Sequence, residues 1–92
     1  MIGKPISEFI DDLYCNPEME MEYHGVRYLV SGYRAEDNEF VLQVDTIERQ
    51  SSEAFFVKKK TVRECVEAFE EATLFDGKTI YEAENEITVL YG

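Results

Sequence analysis

Glu18-Met19-Glu20-Met21-Glu22-Tyr23, followed by His24-Gly25 and then by Val26-Arg27-Tyr28-Leu29-Val30-Ser31-Gly32-Tyr33, decides how this chain folds. The first six residues alternate acidic with apolar, the period of a strand with one wet face and one buried face. A two-residue loop at His24-Gly25 makes Tyr23 oppose Val26, Met21 oppose Tyr28 and Met19 oppose Val30, so one face of the hairpin is wholly apolar. The other face pairs Glu22 with Arg27. Gly25 can take the positive φ that such a turn requires, and His tolerates it better than most residues.

Before the hairpin, Ile6, Phe9, Ile10, Leu13 and Tyr14 fall at the spacing of an amphipathic helix, with Ser7, Glu8, Asp11 and Asp12 on its wet side. Pro5 suits the first helical turn and Asn16-Pro17 stops the helix. After the hairpin, the turn-like Ala35-Glu36-Asp37-Asn38 leads to a third strand over Phe40 to Thr46. Pairing Arg34 with Glu39 would set Val30 against Gln43 and mix the two faces. One residue must be absorbed, either by a bulge at Gly32 or by a five-residue loop. The polar Glu48-Arg49-Gln50-Ser51-Ser52 reads as a connection, and Ala54 to Val57 as a fourth strand. Phe55 and Phe56 cannot both face one side of it.

Thr61-Val62-Arg63-Glu64 has the form of a capping box, and Val62, Cys65, Val66, Phe69 and Ala72 then recur at helical spacing. Asp76-Gly77 marks a turn. Thr79-Ile80-Tyr81-Glu82 starts another short helix, and Ile87 to Tyr91 supplies a last strand. The predicted order is α-β-β-β-β-α-α-β: an α+β fold with a mainly antiparallel sheet of four to five strands and helices on one face, a two-layer sandwich. The 92 residues form a single domain, 1–92, without linker or repeat. Gly3-Lys4-x-Ile6-x-Glu8 is echoed by Gly77-Lys78-x-Ile80-x-Glu82, and shared helix-start chemistry accounts for the echo.

Twenty acidic residues against nine basic ones give a net charge of -11, which repels nucleic-acid backbones and anionic lipid surfaces. Direct nucleic-acid or membrane binding is therefore not expected, whereas a partner with a basic surface would be attracted. Two cysteines, Cys15 and Cys65, are too few for the disulfide framework of a small secreted protein, and a reducing cytoplasmic setting is expected. Met1 to Pro5 shows no basic segment leading into an apolar run, so neither export nor insertion is expected.

Chemistry is excluded residue by residue. One histidine and two cysteines fifty residues apart do not make a zinc site. Glu18, Glu20 and Glu22 share a strand face, but calcium is normally held by loops that wrap it, and a solvated face accounts for them. His24 is the sole imidazole available to activate a nucleophile. Cys65 sits on an apolar helical stripe, where cysteine acts as a small hydrophobe. No Gly-rich phosphate loop is present. No enzyme activity, cofactor or metal is expected.

Lys58, Lys59, Lys60 and Arg63 hold four of the nine basic residues and stand just before a helix N-terminus. Cations there oppose the helix dipole, although a helix N-terminus with a basic collar can take an anion. Alternatively the lysines guard the apolar Phe55-Phe56-Val57 strand against edge pairing.

The opening helix, the Glu-Met-Glu-Met-Glu-Tyr-His-Gly hairpin with Arg27-Tyr28, and the Asp76-Gly77-Lys78-Thr79-Ile80 segment resemble a set of short α+β proteins of Gram-positive gut bacteria without established activity. The resemblance implies a bacterial cytoplasmic setting and carries no site. The function expected from charge and from the missing catalytic residues is a non-catalytic, acidic protein-binding or regulatory module whose partner has a basic surface. The alternatives are a small-molecule or anion-binding domain using Lys58, Lys59, Lys60 and Arg63, and a DNA-mimic inhibitor. The chain is expected to be a monomer, or a homodimer if the fourth or fifth strand leaves an open edge.

Overall fold

A computed structural model describes residues 1–48 and 51–91. The elements run α1 (Ile6–Cys15), β1 (Glu18–Tyr23), β2 (Val26–Arg34), β3 (Phe40–Ile47), β4 (Ser51–Lys59), α2 (Val62–Glu71), α3 (Ile80–Ala83), a 3-10 turn (Glu84–Glu86) and β5 (Ile87–Tyr91). The strands form one antiparallel sheet in the order β4-β3-β2-β1-β5. The helices pack on one of its faces, so the α+β class and the element order stand as read from the sequence.

The hairpin has the expected register, with Tyr23 against Val26, Met21 against Tyr28 and Met19 against Val30. His24 and Gly25 take φ of 49° and 81°, the two positive values this turn requires. The missing residue between β2 and β3 is absorbed by the loop. Arg34 pairs with Phe40, five residues from Ala35 to Glu39 connect them, and Val30 meets Val44. Gly32 stays in regular register opposite Leu42, so the bulge is not there.

A register shift does occur further on. Val44 pairs with Phe55 and Asp45 with Glu53, leaving Ala54 extra. The fourth strand is longer than the sequence pattern marks, running from Ser51 through Lys59. Arg49 and Gln50, in the expected polar connection, lie outside the described residues. The orientation of the two phenylalanines is settled: Phe55 turns its ring onto Phe69 at 6.0 Å, and Phe56 faces the opposite way, half exposed.

The core lies between sheet and helices. Met19, Met21, Tyr28, Leu42, Val44 and Ile87 from the sheet meet Phe9, Leu13, Val66, Phe69 and Ile80 from the helices, all buried. Phe9 packs on Phe69 at 6.3 Å, tying α1 to α2. Phe75, between α2 and α3, packs on both Tyr23 and Tyr28. Thr61 caps α2 by accepting the Glu64 N–H, but the Glu64 carboxylate accepts from the Thr61 hydroxyl, so the box is only half closed. At Thr79 the box is complete, with the Glu82 carboxylate accepting the Thr79 N–H. The sequence echo has a structural counterpart: Lys4 pairs with Asp12, and Lys78 with Glu86, each eight residues on.

Candidate functional site: the helix-free face of the sheet

Strand alternation sends every second side chain away from the helices. On that face β1 presents Glu18, Glu20 and Glu22, while β2 presents Arg27, Leu29, Ser31 and Tyr33. From β3 come Val41, Gln43 and Asp45, and from β4 Glu53, Phe56 and Lys58. Tyr91 of β5 stands opposite Glu20. No described helix covers this surface. Tyr33, Phe56 and Tyr91 are 49%, 48% and 65% exposed; Tyr91 stands opposite Glu20, Phe56 opposite Gln43 and Tyr33 opposite Val41. Val41 is the exception: it is buried at 2% without belonging to the helix-side core, flanked across the strands by Tyr33 and Lys58.

Charges on the face are partly matched. Arg27 reaches diagonally to Glu20 at 3.1 Å and not to Glu22, its direct cross-strand neighbour. Gln43 donates to Asp45 at 3.0 Å. Lys58 pairs with Asp37 of the β2–β3 loop at 2.6 Å, which pulls the Asp37 carboxyl below its ordinary range and pushes the lysine up. Glu18, Glu22 and Glu53 are exposed. A cavity of about 220 Å³ opens on the face, lined by Glu18, Glu20, Leu29, Ser31 and Tyr91 among others. Its lining combines apolar Leu29 and Tyr91 with acidic Glu18 and Glu20, a composition that suits a side chain with an apolar stem and a cationic head.

The basic cluster is divided by the strand that carries it. Lys58 lies on the helix-free face, held by Asp37, whereas Lys59 pairs with Phe40 and lies on the opposite face. Lys60 follows in the bend, and Arg63 is exposed in the first turn of α2. The α2 N-terminus is capped by its own Thr61. The four residues expected to form one anion site are thus distributed over two faces and a helix start.

His24 and the cysteines are engaged elsewhere. His24 stacks on Tyr23 with 3.9 Å between ring centroids, its Nε2 lies 2.8 Å from Glu86 Oε1, and its Nδ1 lies 3.3 Å from Asp76 Oδ2. Burial, with Asp76 and Glu86 nearby, pushes up the Tyr23 phenol. Cys65 is fully buried and its thiol donates to the Phe40 carbonyl at 3.3 Å. Burial raises its pKa, the opposite of what a reactive thiolate needs. Cys15 is exposed at the end of α1. Among the described residues, no three His, Cys, Asp or Glu side chains are grouped to hold a metal ion, and no helix is long and apolar enough to cross a membrane.

A scan against protein-family models, a search of curated proteins and a search of solved structures each return no match. The surface chemistry is therefore what a functional reading rests on. Sequence reasoning located the acidic residues of β1 but missed the aromatic ones, because Tyr33, Phe56 and Tyr91 come from three different strands and share a face only once the strand order is known.

Proposed function

We propose that this chain is a non-catalytic, acidic protein-binding module of the bacterial cytoplasm, which engages a partner with a basic surface through the helix-free face of its sheet. The observation that carries the reading is that exposed Tyr33, Phe56 and Tyr91 share one sheet face with Glu18, Glu20, Glu22, Asp45 and Glu53. Aromatic anchors ringed by polar groups are the usual composition of a binding hot spot. The net charge of -11 adds long-range attraction to a basic partner and raises the encounter rate.

The test is affinity capture from the native cell by wild-type protein at low and high salt. It is repeated with a face variant, Glu18→Lys/Glu22→Lys/Tyr33→Ala, and with a helix-side control, Glu67→Lys/Glu71→Lys. The expected result is a basic protein held at low salt, released at high salt, lost by the face variant and kept by the control. Equal capture by all three proteins would reject the face as the site.

A further inference from the structure

The two edges of the sheet differ. On β5 two outward backbone groups are taken: the Ile2 N–H donates to the Ile87 carbonyl at 2.9 Å, and the Val89 N–H donates to the Ile2 carbonyl at 2.8 Å. Ile2 thus covers the first part of that edge with a parallel bridge to Thr88. On the other side β4 is the last strand, nine residues long, and among the described residues nothing pairs with its outer edge.

The phase of the ladder identifies which groups of β4 point outward. The Ala35 N–H donates to the Glu39 carbonyl at 2.8 Å, so Ala35 and Glu39 form a directly hydrogen-bonded pair. Such pairs alternate along antiparallel strands. Tyr33–Val41 and Ser31–Gln43 are therefore bonded, and the β3 residues between them, Phe40, Leu42 and Val44, turn their groups to Lys59, Val57 and Phe55 of β4. That leaves the N–H and C=O of Phe56 and Lys58 aimed away from the sheet. The Phe56 side chain, 48% exposed, stands on the helix-free face beside them.

We infer that this edge is a dimer interface and that its occupant is β4 of a second copy, antiparallel about a two-fold axis at Phe56. The two five-stranded sheets then become one of ten strands. The inference shares Phe56 and Glu53 with the proposed binding face but does not rest on it, since the pairing uses the backbone edge of β4 and not a basic partner. Three observations favour a second copy. A two-fold at Phe56 pairs two outward-facing backbone groups with their own equivalents and brings the two half-exposed Phe56 rings side by side. It also sets Lys58 of one copy, which its own Asp37 holds at 2.6 Å, beside the Ala54–Glu53 segment of the other, where the register shift places Glu53 on the same face as Lys58. Finally, residues 51–60 hold three lysines and one acid in a chain of net charge -11, so two copies meet here without opposing their acidic surfaces. In the antiparallel arrangement the lysines of the two copies lie at opposite ends.

Sedimentation equilibrium of the full chain over a range of concentrations tests this. Wild type is expected to show a reversible monomer–dimer equilibrium. Phe56→Pro removes an outward N–H that β3 does not use and should leave only monomer. Because that variant can also disturb folding, a charge exchange provides a second arm. Glu53→Lys and Lys58→Glu should each weaken the dimer by about tenfold, and the combined Glu53→Lys/Lys58→Glu should restore it. A wild type that stays monomeric at the highest concentration overturns the inference. So does a dimer that neither single charge variant weakens, or a double variant that fails to recover.

Discussion

The ring of Pro17 rests against the backbone of Gly32: a Cβ built on Gly32 would fall 2.4 Å from the Pro17 Cγ and 2.8 Å from its Cβ. The Phe40 ring closes the same space from the other side, at 3.0 Å. Gly32 therefore lets the segment between α1 and β1 cross close to β2. Gly32→Ala is expected to lower stability by about 1–3 kcal/mol, the range for overpacking a filled site. Urea denaturation checks this. Pro17→Ala in the same chain should recover part of the loss, whereas a loss arising from strand propensity would not respond to Pro17.

Adjacent phenylalanines on β4 should behave oppositely. Phe55 packs edge-on against Phe69 of α2, and Phe55→Ala should cost about 3 kcal/mol, the lower end for such truncations, because the ring is only partly buried. Phe56 faces solvent, and Phe56→Ala should shift the stability of the monomer by no more than about 0.5 kcal/mol. Denaturation at low protein concentration, where the two-fold contact contributes least, makes the comparison. Equal effects at the two positions would contradict the strand orientation.

That orientation shows where sequence pattern ends. The β1–β2 hairpin was legible because alternation, a two-residue turn and matched apolar partners are all local and agree. Phe55-Phe56 was not, since the register shift at Ala54 interrupts the period of two and Ala54 itself carries no signal of a bulge. The choice between a bulge at Gly32 and a five-residue loop is not carried by local pattern, since both restore the apolar face; the register keeps Gly32 opposite Leu42 and leaves Ala35 to Glu39 as the loop. Lys58, Lys59 and Lys60 read as one basic cluster if β4 ends at Val57, where its apolar pattern stops. Extending the strand through Lys59 sends Lys58 and Lys59 to opposite faces. The acidic half of the candidate site was visible in β1 alone, but its aromatic half needed the order β4-β3-β2-β1-β5.

Tyr81 and Glu70 join α3 to α2. The Tyr81 hydroxyl donates to the Glu70 carboxylate, and this bond, ahead of desolvation, pushes the phenol up to about 12 from an ordinary 10.0. A raised phenol keeps its proton better in the folded state. Its contribution to stability is therefore complete below pH 10 and is lost as the pH climbs through the folded-state value. In a spectrophotometric titration, Glu70→Gln should bring one tyrosine back toward 10. The variant should also lose less stability than wild type between pH 10 and 12.

His24 holds the β1–β2 turn to the 3-10 turn ahead of β5 through Glu86, and that contact is the first cause of a lowered Glu86 carboxyl, with Lys78 adding to it. A depressed carboxylate stabilises the fold above its unfolded value, and the contribution fades as the pH falls through the folded one. His24→Asn keeps a residue that accepts positive φ, so the turn itself should survive. In the variant, Glu86 should titrate closer to its ordinary 4.5 when followed by carboxyl NMR. Wild type should be the more stable of the two at about pH 5, and the difference should shrink toward about pH 2, where the carboxylates are protonated in both. An unchanged Glu86 titration would mean that Lys78 alone sets its pKa, and the turn would then be held by the stacking of His24 on Tyr23.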